Sequence, residues 1–402
     1  MVKQMEDDRG TNMITFVIPS RNNLSFLKLA YKSIMALKGN NKILVLNDAS
    51  EDGTTEWLKR LEDRGLLSVH HNPGPDRVGI VGMFDKGIEM AETDIICAFH
   101  ADMVAYPNLD RELLKHLKKG TVVSATRVEP PLHKPGPEKI IEHFGVTADE
   151  FNYKKWCKYI PPILNNETTE GIFAPWCMYK EDFLAIGGHD KLFAPQSRED
   201  SDLFNRFHLA GYKFIQTWRG MVYHFTSRGS RFNPMSGGDI GKDSPEWTKQ
   251  NLKSEKNFIR KWGTTVNHDK MMKPIVSHKY DIGFVVTNCN PNLLYTLEPW
   301  CSTFYTDCKQ YEYDIYIKAE QPNTLYNLKD KLKIWDGHTL HEDENANDIL
   351  VSFDCEKLDN NSFLFLVGLA DILSDRGKIG RTKHGIFTLF IDSLTHYETE
   401  LI

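Results

Sequence analysis

The sequence predicts an α/β protein: a mainly parallel sheet with helices on both faces, followed by a small C-terminal α/β domain. Three observations carry that expectation. Short apolar, β-branched runs alternate with stretches of helical periodicity over residues 13–127, the pattern of strands joined by crossover helices. The alternation resumes after an irregular stretch and reaches residue 262. It restarts as a separate pattern near residue 281.

Residues 13–19 form an apolar run that stops at Pro19, which reads as a buried strand. Residues 24–36 carry Leu24, Leu27, Tyr31, Ile34 and Met35 at helical spacing, behind an Asn cap at 22 or 23. Further strands are expected at 42–46, 66–70, 95–99 and 121–127, and helices at 54–64, 78–91 and 110–118. In 128–170, Pro130, Pro131, Pro135, Pro137, Pro161 and Pro162 rule out long regular elements. A stretch of that length inside a domain reads as a functional insertion rather than a linker. A strand at 173–179 and a short helix at 180–186 follow. A helix then runs from near Asp200 to Gly211, and a short strand ends at His224. Residues 227–247 are glycine-rich and expected to be a mobile loop, with helix again over 246–262. In the tail, strands are expected at 281–287, 313–318, 333–335, 349–353 and 386–392, and a helix at 363–374. The domains are therefore a flexible tail at 1–12, a main domain at 13–272 and an accessory domain at 279–402.

Composition narrows the function classes. The chain has 402 residues, 41% hydrophobic and 26% charged, as ordinary globular proteins do. No run approaches the ~18 uninterrupted apolar residues of a spanning helix, and the start lacks the apolar core of a signal peptide. Seven cysteines at 97, 157, 177, 289, 301, 308 and 355 form no C-x-x-C pair. A disulfide framework is not expected, and a reducing cytoplasm fits. Residues 1–272 carry 37 Lys+Arg against 35 Asp+Glu, and residues 273–402 carry 12 against 20. Neither part is the strongly basic body that phosphate-backbone binding needs, so a nucleic-acid acceptor is disfavoured.

The residues that carry chemistry follow strands, where open α/β sheets bind ligands. Asp48, after Ile43-Leu-Val-Leu-Asn47, suits a hydrogen bond from a base N–H such as N3 of uracil, or else a helix cap shared with Ser50 or Asp52. Asp102 of His100-Ala101-Asp102 suits a divalent cation, or a turn cap before Pro107. Glu199-Asp200-x-Asp202-Leu203-x-x-Arg206 opens a helix. Asp200 at its start suits a base for an incoming hydroxyl, or a favourable dipole charge. Asp202 and Arg206 pair at i,i+4, and Leu203 and Phe207 share a face. His224 suits a borderline metal or a structural role. Arg21 and Arg77 suit phosphate oxygens or surface ion pairs. Trp176 and His189 suit an acceptor pocket, with the core the alternative for Trp176.

These parts, in this order, resemble family 2 glycosyltransferases of the GT-A fold, a Rossmann-like α/β architecture. The resemblance covers roughly residues 13–226. V-I-P-S-R-N at 17–22 matches the family's opening strand and nucleotide-contacting turn, and N-D-A-S-E-D-G-T at 47–54 its acidic turn, with Asn47 replacing the preceding acid. H-A-D is a variant of D-x-D, G-G-H-D at 187–190 resembles G-G-x-D, and E-D-x-D-L-x-x-R the base motif. The resemblance implies an inverting transfer from a nucleoside diphosphate sugar, UDP by default, to a glycan or other hydroxyl acceptor. It implies Asp200 as base, and Asp102 with His224 holding Mn²⁺ or Mg²⁺. Pro19, Ser20, Arg21, Asp48, Arg77 and Ala101 would seat the nucleotide; Trp176, Gly188, His189 and Glu199 would face the acceptor. Open alternatives are transfer to hydroxymethylated bases of DNA, a nucleotidyltransferase, a non-catalytic sugar-nucleotide-binding module, and a homo-oligomer built through the C-terminal domain.

Overall fold

The computed structural model describes residues 13–229, 231–335 and 347–402; the expected tail at 1–12 lies outside the described residues. Contacts divide the chain into two compact units. One runs to Gln250 and takes in His268–Ile275; the other holds Asn251–Asn267 and Val276–Ile402.

The first unit contains β1 (Ile14–Ser20), α1 (Leu24–Met35), β2 (Lys42–Asp48), α2 (Thr54–Glu62), β3 (Ser68–Asn72), α3 (Gly79–Met90), β4 (Ile95–Ala98), β5 (Met103–Ala105), α4 (Leu109–His116) and β6 (Thr121–Glu129). It continues with β7 (Lys139–Ile141), α5 (Tyr153–Tyr159), β8 (Thr168–Thr169), β9 (Trp176–Tyr179), α6 (Lys180–Ala185), α7 (Glu199–Leu209) and β10 (Lys213–His224). Helix α8 (Pro245–Trp262) begins in this unit and ends in the other. The strands order as β3-β2-β1-β4-β9-β6-β10-β5, with β7 on β6 and β8 on β10.

Strands β3, β2, β1 and β4 run parallel to one another. Strand β9 is antiparallel to both β4 and β6, and β10 is parallel to β6. Two reversals restore the direction, so β1, β2, β4, β6 and β10 all point their carboxyl ends to the same edge. The sheet is thus mixed rather than parallel throughout, since β5, β8 and β9 enter antiparallel. Strand β6 is buried at every position, as a strand covered on both faces must be. The core joins Phe16, Ile18, Val45, Ile96 and Val123 of the sheet to Leu27, Ile34, Phe84 and Ile88 of the helices. Asn23 makes no side-chain cap at α1. Instead Asp52, from the turn before α2, accepts from the Leu24 amide at 2.9 Å and also from the Thr54 amide at 3.2 Å. One carboxylate thereby caps two helices.

The second unit contains β11 (Ile282–Thr287), α9 (Pro291–Leu297), β12 (Thr303–Thr306), α10 (Gln310–Glu320), α11 (Leu328–Lys331), β13 (Leu332–Ile334), β14 (Ile349–Asp354), α12 (Asn360–Val367), α13 (Leu369–Arg376), β15 (Gly380–His384) and β16 (Phe387–Ile391). Its strand order is β13-β12-β11-β14-β16-β15. The strand expected at 313–318 is helix α10. Tyr316, Ile317 and Glu320 are its buried residues and Ile315 is 60% exposed, which is helical and not alternating burial. The single helix expected at 363–374 is two, α12 and α13, meeting at Gly368.

Candidate active site

The common carboxyl edge of the first sheet opens on a cavity of about 470 Å³, a size usual for small-molecule sites. Strand β1 delivers Pro19, Ser20 and Arg21 to its wall, β2 delivers Asp48, the turn after β4 delivers His100, Ala101 and Asp102, and β10 delivers His224. Arg77, Gly79 and Glu199 line it too. Asp102 meets His224 because β5 pairs with the end of β10, setting Met103 opposite His224.

Three groups able to ligate a metal ion cluster tightly. One ligand atom from each of His100, Asp102 and His224 lies within 4.8 Å of the others. His224 Nδ1 lies 3.0 Å from Glu129 Oε1, while its Nε2 stands 3.6 Å from Asp102 Oδ1. That second distance is too long for a hydrogen bond. It is right for two ligands sharing a cation whose bonds are about 2.1 Å. Asp102 Oδ2 accepts from the Arg228 amide at 3.1 Å, which turns Oδ1 toward the histidines. Burial lowers the His100 pKa against the pull of Asp102, so its imidazole is neutral near pH 7 and able to ligate. Two imidazoles and one carboxylate fit a transition-metal ion better than Mg²⁺, which prefers oxygen. A second cluster among the described residues, His278–His396–Glu398 in the other unit, is unlike this one. Its two imidazoles stack at 4.0 Å and 29°, and the Nδ1 of each lies 2.8 Å from the same Glu398 Oε1, so the carboxylate already takes up both ring nitrogens.

Asp48 is the most heavily bonded of the expected residues. Its Oδ1 accepts from Asn72 Nδ2 at 2.7 Å and the Val78 amide at 2.8 Å, and Oδ2 from the Gly79 amide at 2.8 Å. A carboxylate has about four acceptor sites, which leaves one on Oδ2. Arg77 pairs with Glu246 at 2.7 Å. Arg21 keeps a buried Nε, and Arg228 a buried Nε and Nη2, with no hydrogen-bond partner. Buried unpaired guanidinium nitrogens are costly unless an anion completes them.

The acceptor-side expectations separate. Glu199 lines the cavity with a buried, unpartnered Oε2. Burial first, and the Asp200 charge second, push its carboxyl up to about 8. Asp200 is half-buried and is not among the lining residues, although its charge acts on His100. Trp176 is a core residue of β9, stacked on Phe183. His189 is buried on Asp85, Nδ1 to Oδ1 2.7 Å. The Gly188 carbonyl accepts from Arg206 Nη2 at 2.6 Å, and Arg206 also donates to Ile186 O and Asp202. Thus the i,i+4 pair clamps the glycine turn to α7.

Sequence reasoning missed Arg127, Glu129, Glu138 and Lys139, which line the cavity. The signal was faint: two charges, Arg127 and Glu129, at the end of an otherwise uncharged strand. It also missed Arg228 and Arg231, which bring the glycine-rich segment to the wall.

The family model for Glycosyl transferase family 2 matches residues 15–185. Solved structures similar to the chain include GalNAc-T7 with UDP, GalNAc and Mn²⁺, at 13% identity and TM-score 0.43, over 63% of this chain and 51% of that one. Another is S. aureus TarS 1–349, at 10% identity and TM-score 0.40, over 53% and 60%. The same TarS fragment with UDP-GlcNAc matches at 11% identity and TM-score 0.39, over 54% and 61%. The chain therefore spans between half and two thirds of each of these structures. No helix of the described residues is long and apolar enough to cross a membrane.

Proposed function

We propose that this chain, a GT-A-type glycosyltransferase related to family 2, moves a sugar with inversion from a nucleoside diphosphate, UDP favoured, to a hydroxyl of a glycan or similar acceptor. One observation carries the reading. The 3.6 Å gap between His224 Nε2 and Asp102 Oδ1, with His100 beside it, faces a cavity whose wall includes the unpaired guanidinium nitrogens of Arg21 and Arg228. That arrangement suits a diphosphate held by one cation and two arginines.

His100, Asp102 and His224 would hold the cation, with Mn²⁺ favoured over Mg²⁺ by the two imidazoles. A cation there would neutralise the charge that builds on the departing diphosphate. Arg21 and Arg228 bind its oxygens. Ser20 and the remaining acceptor site of Asp48 orient the base. The proton of the acceptor hydroxyl passes to a carboxylate as the anomeric carbon is attacked. Asp200, half-buried at the start of α7 and near enough for its charge to act on His100, is the first reading for that carboxylate. Glu199 is the second reading, favoured by its buried, unpartnered Oε2 inside the cavity. The all-thiol cysteines suit a cytoplasmic setting.

The test is nucleotide release from a panel of nucleoside diphosphate sugars with Mn²⁺, Mg²⁺ or EDTA. Turnover is expected with a UDP-sugar and Mn²⁺, weaker with Mg²⁺, and absent with EDTA or in His224→Ala. Arg228→Met should raise the donor KM about tenfold or more, the loss of a charge-assisted hydrogen bond. Turnover that ignores EDTA would remove the cation from the mechanism.

A further inference from the structure

Glu129 stands at the carboxyl end of β6 with its side chain 2% exposed. Its Oε1 lies 3.0 Å from both His224 Nδ1 and Arg127 Nη1, and its Oε2 accepts from Lys139 Nζ at 2.9 Å. Lys139 comes from the proline-rich insertion. Strand β7 lies parallel to β6 with Arg127 opposite Lys139 and Glu129 opposite Ile141. We infer that Glu129 is a positioning residue that fixes His224 as the Nδ1–H tautomer and aims its Nε2 lone pair at the cation. By supplying Lys139, the insertion holds that carboxylate in place.

The inference deepens the reading above and rests on it. A neutral imidazole has one N–H, and an ionised carboxylate only accepts. With the imidazole neutral, the proton in the 3.0 Å contact with Glu129 sits on Nδ1, which leaves Nε2 bare toward Asp102. Both oxygens of Glu129 are tied by cations, so the carboxylate cannot swing away or replace Asp102 as a ligand. Without it, His224 could place its proton on Nε2 and donate to Asp102, closing the gap the cation needs. A carboxylate behind a ligating histidine typically contributes 10–100-fold in metal affinity.

Two measurements on the full chain at pH 8, without donor, decide it. Long-range ¹H–¹⁵N spectra report the His224 tautomer, assigned by comparison with His224→Gln. Electron paramagnetic resonance titration reports Mn²⁺ affinity. The wild type should show Nδ1–H, and Glu129→Gln should lose the single tautomer and bind Mn²⁺ about 10–100-fold more weakly. Lys139→Met, which leaves the Glu129–His224 contact in place, should lose only a few-fold. An Nε2–H wild type, or Glu129→Gln with unchanged affinity, overturns the inference. If Glu129→Gln fails to fold, the wild-type spectrum still decides. Mn²⁺ binding with the wrong tautomer defeats this inference alone. A correct tautomer with no Mn²⁺ binding defeats the cation reading and this inference with it.

Discussion

Glu199 and Asp200 are adjacent in sequence, yet their surroundings give them different tasks. Glu199 is desolvated beside a like charge, and its carboxyl is pushed from 4.5 up to about 8. The native fold therefore keeps a proton that the unfolded chain releases. The sign follows from linkage: this group's contribution to stability is full below about 4.5 and is lost as the pH rises toward 8. Glu199→Gln should flatten that slope, melting near the wild-type temperature at pH 5 and higher than wild type at pH 8. A parallel pair of melting curves across that range would refute the protonated state. Kinetics separate the two carboxylates independently. If Asp200 is the base, Asp200→Asn should cost about 10²–10⁴ in kcat, and Glu199→Gln far less. If Glu199 is the base, the costs reverse. The kcat/KM profile should then climb to a plateau above about 8, and Asp200→Asn should move that limb to lower pH by removing the neighbouring charge. Sequence pattern alone ranked Asp200 first because the motif fixes order and spacing. It carries no information on which of two neighbours at a helix start turns inward.

At the scale of elements, the cavity depends on close backbone approaches. Gly79 opens α3 with φ +88°, and a Cβ there would meet Pro195 atoms at 2.3–2.6 Å. Its amide also donates to Asp48. Gly79→Ala should destabilise the first unit by more than about 1 kcal/mol and weaken donor binding as well, since Asp48 loses its seat. Thermal melting and UDP titration of the variant check both; an unchanged UDP affinity would separate Asp48 from the donor site. Elements with strong periodicity were legible: β1, β2, β4, β6 and α1 to α4 lie within a few residues of their expected places, because burial on one face or both writes itself into the sequence. Short strands defined by their neighbours were not. Met103–Ala105 and Thr303–Thr306 carry too few residues for a period. The helix at Gln310–Glu320 looked like a strand because its tyrosines and isoleucines are β-formers that tertiary packing overrides. The site followed the same division. Asp48, Asp102 and His224 were legible as acids or imidazole after strands. Glu129 was not, because the imidazole it meets is 95 residues away and Lys139 lies in an insertion without periodicity.

For the whole molecule, the two units are interleaved rather than strung in series. The chain passes into the second unit at Asn251, returns for His268–Ile275 and leaves again at Val276. Ile259 of α8 belongs to the second core, and Arg260 is buried in the same unit between Glu298 and Glu320, each at 2.6 Å from its Nη2. Removing those two carboxylates would leave an uncompensated buried charge, a loss of about 3–5 kcal/mol. The returning segment matters to the first unit: Met272 lines its cavity, and Gly171 approaches the Met271 carbonyl so closely that a Cβ would lie 1.9 Å from it. A cut after residue 275 therefore strands Ile259 and Arg260 without their partners, while a cut after 250 deletes the cavity wall at Met272. Neither truncation should give a monodisperse protein that binds UDP with the affinity of the full chain, as read by size-exclusion chromatography and calorimetric titration. If residues 1–275 were soluble, cooperatively folded and unimpaired in UDP binding, the second unit would be an appendage. Its role would then have to be sought in assembly or acceptor choice, not in supporting the donor site.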